Sequence, residues 1–287
     1  GVWLSEGGVS EAALGVLDEY HFRWTASGEA VWNHSQLALT DKPRKKAVED
    51  NIHHIYRQND HRVACFFRND GLSDLIGFTY AKWHADDAVG DFLQHLENIR
   101  QACTDHDNAC VSIILDGENA WEYYPHNGRY FLEGLYQALA DAPGIELTTF
   151  SEALKTSKPR TLPHLVAGSW VYGTFSTWIG EPAKNRAWDL LCDAKQIYDR
   201  VVASGRLNQK QQQQASEQLA ICEGSDWFWW FGDYNPVDSV QDFDQLYRLH
   251  LRNLYRFLGE TPPESLSQVI SRGGGDPQNG GVMRGNS

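Results

Sequence analysis

The apolar run at residues 111–115 constrains the fold more than any other stretch of this chain. It has the length and β-branched content of a strand buried on both faces, and it stops at Asp116-Gly117-Glu118. Helices normally cover such strands in a parallel α/β sheet or barrel, where catalytic groups lie at the C-terminal ends. The acids at this end therefore predict a site, although an acid that caps a following helix would give the same pattern.

Other segments repeat this alternation of strand and helix. Strands are predicted at residues 1–6, 22–25, 61–67, 111–115 and 145–150. Helices are predicted at residues 10–20, 86–100 and 131–139, and from residue 151 onwards. Up to about residue 160 the pattern therefore predicts a parallel sheet or barrel.

Beyond Pro163 the composition changes. Residues 168–180 form an aromatic stretch rich in small residues, and helical periodicity returns at 184–202 and 243–258. We predict three parts: a barrel part at 1–165 that carries the acids, a helical domain at 166–262 whose aromatic loops close the cleft, and a disordered tail at 263–287.

Charge and aromatic content indicate what kind of partner the chain binds. Its 287 residues carry a net charge of −13, without the clustered Lys and Arg that nucleic-acid binding requires. Eleven Trp residues accompany 12 Phe and 12 Tyr, and the Trp residues concentrate around acidic stretches. Aromatic faces beside carboxylates are typical of a sugar-binding cleft, so a neutral ligand is expected.

Cysteine usage and hydropathy predict a cytoplasmic protein. The five cysteines are odd in number and form no C-x-x-C pair, as expected for free, mostly buried thiols in a reducing compartment. No apolar run approaches the roughly 18 residues that a membrane span needs, and no signal peptide opens the chain. Because the first residues lack an initiator Met and read as a strand already in progress, we expect further chain upstream.

Glu6 and Asp116 both end apolar strands of the predicted array. Parallel strands of one sheet direct their C-terminal ends to the same edge, so the two carboxylates could converge. Such a pair suits glycosidic-bond cleavage, in which one carboxylate acts at the anomeric carbon and the other protonates the leaving oxygen. Glu29 is a third acid at a strand end, but its position is more typical of a loop carboxylate.

Four segments together resemble glycoside hydrolase family 57, and the similarity extends over nearly all of residues 1–260. They are Gly1-Val-Trp-Leu-Ser-Glu6, Leu115-Asp-Gly-Glu-Asn-Ala-Trp121, the stretch from Ser169-Trp170 to Trp178-Ile-Gly180, and Gly224-Ser-Asp-Trp-Phe-Trp-Trp230. The resemblance implies an α/β fold, a partial (β/α)7-type barrel followed by an α-helical domain. It also implies an enzyme of the α-amylase, amylopullulanase, 4-α-glucanotransferase or branching type.

The resemblance assigns roles to individual residues. It implies that Glu6 is the nucleophile and Asp116 the general acid/base of a retaining double displacement on an α-glucan or maltooligosaccharide, without metal or other cofactor. The residues it implies in substrate binding are Trp3, Glu118, Trp121, Trp170, Trp178, Asp226 and Trp227. The His-Gln-Pro motif of the family has no counterpart here, so we expect a fragment that lacks the first part of the barrel.

Rival hypotheses remain open on the sequence. Hydrolase and transferase cannot be separated, because the outcome depends on how well the acceptor subsites exclude water. A non-catalytic α-glucan-binding protein would keep the tryptophans and tolerate loss of one acid. A metal-dependent deacetylase would need His and Asp at metal-ligand spacing, whereas the adjacent His53 and His54 are interpreted as solvated or loop residues. Asp70 and Asp74 are interpreted as sugar-hydroxyl ligands, supports for the site, or salt-bridge partners.

Overall fold

The computed structural model describes residues 1–38, 51–103, 109–117 and 121–275. The chain divides into two compact units, Gly1–Thr174 and Phe175–Ser287. The first unit mixes helices with a four-stranded sheet, and the elements of the second are helical. This confirms the predicted fold class, an α/β part followed by an α-helical part.

The first unit alternates strands and helices along the chain. Its strands are β1 (Trp24–Ser27), β2 (Tyr56–Gln58), β3 (Ala64–Phe67) and β4 (Arg160–Leu162). Its α-helices are α1 (Glu11–Glu19), α2 (Glu29–Leu37), α3 (Asp70–Asp74), α4 (Ala85–Ala102), α5 (Arg129–Asp141) and α6 (Phe150–Thr156). Shorter 3-10 or π turns occupy Ser5–Gly7, Leu75–Thr79, Tyr80–Lys82, Trp121–Tyr123 and Pro125–Gly128.

The sheet has the order β1-β3-β2-β4. β1 and β3 run parallel, β2 runs antiparallel to β3, and β4 runs parallel to β2. Alternate side chains of β3 enter two different cores: Cys65 and Phe67 pack with α1 and α2, whereas Phe66 packs with Phe150 of α6. Apolar side chains on both faces explain why this strand reads as a continuous hydrophobic run.

Helices of the first unit begin where the sequence provides caps. Ser10 accepts a hydrogen bond from the backbone N of Ala13 at 3.1 Å, so α1 begins at the predicted cap. Residues 145–150 were expected to form a strand, but Thr149 caps a helix instead, and its Oγ1 accepts from the backbone N of Glu152 at 3.2 Å. The prediction of a strand there is wrong because local capping outweighs a short β-branched run.

Strands β2 and β4 were not predicted, since neither has a recognisable hydrophobic alternation. His53 and His54, interpreted as solvated or loop residues, lie outside the strands, but they are not solvated, because His54 is buried and His53 is half-buried. Burial, together with the neighbouring His54, lowers the pKa of His53 to about 4.

The second unit consists of helices joined by aromatic turns. It contains α7 (Pro182–Ala203), α8 (Gln209–Cys222), α9 (Asp226–Trp230), α10 (Val237–Phe257) and a 3-10 turn at Glu264–Ser267. The glutamine-rich start of α8 is helical, and Asn208 and Gln211 form a reciprocal capping box there. Residues 263–275, predicted as the start of a disordered tail, bury Leu266, and Gly275 donates to the carbonyl of Asn235 at 2.9 Å.

All five cysteines are free, and Cys65, Cys103 and Cys222 are buried. Burial raises the pKa of the Cys65 thiol to about 12. Within the described ranges, the structure contains no helix long and apolar enough to cross a bilayer.

Candidate active site

Four chain segments of the first unit lie side by side and run in the same direction. Val2 forms a parallel bridge with Thr25, β1 pairs in parallel with β3, and Arg68 forms a parallel bridge with Ser112. The chain leaves these segments at one edge of the sheet. Glu6, Glu29, Asp70 and Asp116 all follow the segments at this edge, where α/β enzymes place their catalytic groups.

Glu6 is held in a strained turn. Its φ of 57° lies in the left-handed region, which costs a non-glycine residue about 1–3 kcal/mol and is concentrated at functional sites. The turn is fixed on both sides, since Gly7 donates to the carbonyl of Leu4 at 2.9 Å and Ser27 donates from Oγ to the carbonyl of Gly7 at 2.6 Å. The surroundings therefore determine where the half-buried carboxylate points.

Trp170 contacts Glu6 through both its backbone and its side chain. The indole Nε1 donates to Oε2 of Glu6 at 3.3 Å, and the backbone N donates to the carbonyl of Glu6 at the same distance. Trp3 packs edge-on against Trp170, with ring centroids 5.3 Å apart. A Cβ on Gly7 would come within 2.6 Å of the Trp3 ring, so the turn and the tryptophan pair need glycine at this position.

Arg68 connects the end of β3 with the segment that carries Asp116. Its guanidinium donates from Nε to the carbonyl of Ile114 at 2.8 Å, and it pairs with Asp70 at 2.8 Å and Asp74 at 2.7 Å. The same guanidinium lies 5.4 Å from the centre of the Trp170 ring, within cation–π range. Arg68 therefore links both acid-bearing segments, a role that the sequence analysis did not assign.

Asp70 and Asp74 are ion-pair partners of Arg68, one of the roles foreseen for them. Burial raises the pKa of Asp70, and the hydrogen bond and charge of Arg68 only partly oppose this shift. Asp70 also accepts from the backbone of Glu29, which places the start of α2 against this cluster.

Asp116 follows a segment that is irregular for most of its length. Instead of the predicted continuous strand, residues 111–115 have one bridge, at Ser112. Polar groups replace the missing ladder: Asn69 donates its backbone N to the carbonyl of Ser112 at 2.8 Å, and Ser73 Oγ accepts from the backbone N of Ile114 at 3.3 Å. Asp116 is half-buried, the following Gly117 is exposed, and Glu118 lies outside the described residues.

Trp121, at the start of a 3-10 turn, is packed within the first unit. Its ring centre lies 5.4 Å from that of Tyr124 and 6.4 Å from that of Phe131. It borders the cluster between α4 and α5 and remains half-buried, so one face is committed to packing.

In the second unit, Trp178 and Trp227 are likewise packed by neighbours. Trp178 is 5% exposed, and its ring centre lies 5.9 Å from that of Trp229. Its buried Nε1 has no hydrogen-bond partner among the described residues, which is unusual for an indole donor. Trp227 donates from Nε1 to the carbonyl of Ile221 at 2.7 Å, and Asp226 is exposed at the start of α9.

Lys184 is a buried cation of the second unit, and the sequence analysis missed it. It is 1% exposed, and its Nζ donates to the carbonyls of Thr177 and Phe228, both at 2.5 Å, and to the hydroxyl of Tyr234 at 2.7 Å. Burial lowers its pKa to about 8. A signal was present, because Lys184 stands one helical turn before the buried Ala187.

Metal chemistry has no obvious donor set in this arrangement. Among the residues that the structure describes, no group of three or more His, Cys, Asp or Glu side chains could hold an ion. The indole of Trp170 contacts Glu6, and the guanidinium of Arg68, paired with Asp70, lies over the ring of Trp170.

Acids that follow parallel segments at one edge, with tryptophans against one of them, are typical of α/β-barrel enzymes that cleave glycosidic bonds. The model of glycosyl hydrolase family 57 matches residues 1–166, more than half of the chain. The chain therefore belongs to glycosyl hydrolase family 57, as its motifs predicted. A comparison with curated protein sequences returns no match.

Solved structures share the fold. The family 57 branching enzyme of Thermococcus kodakaraensis, crystallised with glucose, has a TM-score of 0.64 at 16% identity and covers 85% of this chain and 53% of its own. The branching enzyme of Pyrococcus horikoshii has a TM-score of 0.60 at 15% identity, and the match covers 88% of this chain and 54% of that enzyme. The 4-α-glucanotransferase of Thermococcus litoralis has a TM-score of 0.54 at 14% identity, and the match covers 87% of this chain and 41% of that enzyme. The chain thus spans about half the length of these enzymes.

Proposed function

We propose that this chain carries the catalytic acids of a retaining enzyme that acts on α-glucans by double displacement. Glu6 is the nucleophile, and Asp116 is the general acid that protonates the departing glycosidic oxygen. The observation that carries the proposal is the strained, doubly contacted Glu6, whose carboxylate is oriented by the indole of Trp170. A nucleophile must be fixed in this way before it can attack in line.

In the first step the Glu6 carboxylate attacks the anomeric carbon, while Asp116 gives its proton to the leaving sugar. The product is a covalent glycosyl-enzyme. In the second step Asp116, now a carboxylate, removes a proton from the incoming hydroxyl as that oxygen displaces Glu6. A hydrogen bond from Trp170 to the Glu6 oxygen that does not attack stabilises the carboxylate in both steps.

Sugar-binding roles are part of the proposal. Trp3 and Trp170 lie against the nucleophile and are the best placed to contact the sugar that reacts. For Trp121, Trp178 and Trp227, the proposed role is a partial one, since part of each ring is committed to packing. Asp226 is proposed as a sugar-hydroxyl ligand because it is exposed, and Glu118 is proposed on sequence grounds.

A transferase is the second candidate. Two of the solved structures with this fold are branching enzymes, and one is a 4-α-glucanotransferase. In a transferase the incoming hydroxyl belongs to another glucan, whereas in an amylase or amylopullulanase it belongs to water. Product analysis on maltooligosaccharides separates the two, because only the transferase makes chains longer than the substrate.

A cytoplasmic setting remains part of the proposal, since all five thiols are free.

Substitution of the two acids tests the chemistry. We expect Glu6→Gln and Asp116→Asn each to lower turnover of a maltooligosaccharide by about three orders of magnitude or more, with substrate binding retained. Glu29→Gln is the matched control, and its turnover should stay within about threefold. Unchanged turnover in Glu6→Gln would mean that the nucleophile is another group. If the unchanged protein binds a maltooligosaccharide but does not turn it over, the chain is a glucan-binding protein.

Azide distinguishes the two roles. In Glu6→Ala the anion can take the place of the missing nucleophile and give a glucosyl azide of inverted anomeric configuration. In Asp116→Ala it attacks the glycosyl-enzyme and gives the retained anomer. The opposite pattern, established by NMR of the products, would exchange the two assignments. In a glucan complex we expect the two carboxyl groups about 5–5.5 Å apart, since about 6.5–9.5 Å is typical of inverting enzymes.

A further inference from the structure

A cavity of about 280 Å³ lies at the other end of the sheet from the candidate active site. Arg23, which lines it, directly precedes β1, and Arg62 lies two residues before β3. The two segments are tied together because Ala64 donates its backbone N to the carbonyl of Arg23 at 2.9 Å. Glu6, Glu29 and Asp116 follow the opposite ends of the parallel segments, so this cavity is separate from the proposed catalytic site.

The lining of the cavity is strongly cationic. Arg23, Arg57, Arg62 and Lys155 face it, whereas Asp18 is its one carboxylate. This is the reverse of the balance of the whole chain, which carries a net charge of −13. Cations gathered around a concave surface in an acidic protein concentrate positive potential at that place.

The carboxylate of Asp18 is committed to the protein itself. It accepts hydrogen bonds from the backbone N of Arg62 at 3.0 Å, from the backbone N of Val63 at 3.0 Å and from Nδ1 of His61 at 2.9 Å. Burial raises the pKa of Asp18, but these bonds outweigh that effect and hold it below its ordinary value. Asp18 is therefore a structural anion whose charge is already met by donors.

The cations, in contrast, keep donors available. Across the described residues, the side chains of Arg23 and Arg57 form no hydrogen bond or ion pair, and both are exposed. Arg62 uses Nη2 to reach the carbonyl of Asp18 at 2.9 Å, which leaves its other guanidinium nitrogens free to donate. Lys155 is paired with Glu152 at 2.7 Å in an exposed contact of the kind that exchanges readily with solvent.

We propose that this cavity binds the phosphate group of a small phosphorylated ligand. Arginine guanidinium groups present planar pairs of donors that match phosphate oxygens, and here three of them line one space. Phe22 and Leu154, both half-buried, form an apolar wall for the rest of the ligand. The volume of about 280 Å³ lies just below the usual range for ligand pockets, so it suits the phosphate monoester of a small molecule.

Calorimetric titration of the full chain with inorganic phosphate, and separately with glycerol phosphate, tests the proposal. Ionic strength is held at about 0.15 M with NaCl, so that general screening is constant. We expect saturable binding of both probes, and a dissociation constant at least about tenfold weaker in Arg23→Gln/Arg57→Gln. Arg23→Lys/Arg57→Lys should recover only part of the loss, because lysine keeps the charge but not the planar pair of donors.

Arg129→Gln is the matched control, because Arg129 is an exposed arginine of the same unit that does not line the cavity. Its affinity for phosphate should equal that of the unchanged protein, and thermal melting should show all variants folded. The proposal is overturned if neither probe binds saturably, or if Arg129→Gln weakens binding as much as the double substitution. Binding of a polyglutamate peptide without phosphate binding would also overturn it, in favour of an acidic protein partner.

Discussion

At the scale of single residues, Arg68 stabilises the first unit from within, and Lys184 does the same in the second unit. Arg68 is 5% exposed and satisfies two carboxylates and the carbonyl of Ile114. Lys184 donates to three oxygens, which matches the three donors of an ammonium group. Both are buried charges that stabilise the fold through the hydrogen bonds they donate. Removing either one leaves several polar atoms without a partner.

Arg68→Met should destabilise the first unit by about 3 kcal/mol, because it leaves two carboxylates and a carbonyl unpaired next to the site. Urea denaturation followed by far-UV circular dichroism measures the loss. Arg129→Met removes an exposed ion pair with Glu133 and should cost less than about 1 kcal/mol. Equal losses in the two variants would contradict the role assigned to Arg68.

Lys184 should make stability depend on pH. Its pKa is about 8 when folded and near 10.5 when exposed, so the unfolded chain binds more protons between these values. Stability from this group is therefore lowest below pH 8 and rises as pH increases toward 10.5. Relative to Lys184→Met, the unchanged protein should gain on the order of 2 kcal/mol from pH 7 to pH 10.

The comparison with Lys184→Met is needed because buried thiols and tyrosines titrate in the same pH range and change the free energy of unfolding in the opposite direction. Burial raises the pKa of Cys65 and of Cys222 to about 12, and such groups lose stability as pH rises. The exposed Lys210, replaced by Met, is the control and should follow the unchanged protein at every pH. A constant difference between Lys184→Met and the unchanged protein would show that Lys184 titrates normally.

At the scale of elements, caps decide where helices begin when the hydrophobic pattern is weak. The glutamine-rich start of α8 carries little amphipathic signal, and its beginning is fixed by the reciprocal bonds of Asn208 and Gln211 at 3.0 Å. The same kind of contact begins α6 at Phe150, inside the strand predicted for residues 145–150 and one residue before the predicted helix start, because Thr149 is the N-cap. Local polar contacts therefore set boundaries that hydrophobic periodicity leaves open.

Asn208→Ala should destabilise the second unit by about 1 kcal/mol, since the backbone N of Gln211 loses the side-chain oxygen that accepts its hydrogen bond. Ser216→Ala, at an exposed position of the same helix, should be neutral or stabilise by about 0.5 kcal/mol through higher helix propensity. Chemical denaturation of the two variants gives the comparison. A cost for Ser216→Ala as large as that for Asn208→Ala would contradict the assignment of the loss to the cap.

At the scale of the whole molecule, we expect the two proposed sites to respond differently to salt, because one binds a neutral ligand and the other a charged one. A neutral glucan gains nothing from screening of the net charge of −13, so its KM should change by less than about twofold between about 0.05 and 0.5 M NaCl. Phosphate affinity at the arginine-lined cavity should fall severalfold over the same range. Steady-state kinetics and calorimetry measure the two, and a KM that moves with salt as strongly as phosphate binding would indicate a charged substrate.

The sequence by itself determined the elements whose signal is local. Periodicity placed α1, α4, α5, α7 and α10, and the motifs around Glu6 and Asp116 identified family 57. It also predicted that acids follow parallel segments, because a buried run that ends in a charged residue is visible without coordinates. Roles of the individual site residues remain predictions that the proposed substitutions test.

Tertiary structure decided what depends on partners distant in the chain. β2 is a strand because β3 and β4 supply its hydrogen bonds, and the buried His54 forms a bridge with Ala109, 55 positions further along the chain. Arg68 meets Asp74 and Ile114, and Trp170 reaches Glu6 across 164 positions. Such contacts depend on how the chain packs. A buried polar group needs a hydrogen-bond partner, and the fold decides which distant residue lies close enough to be that partner.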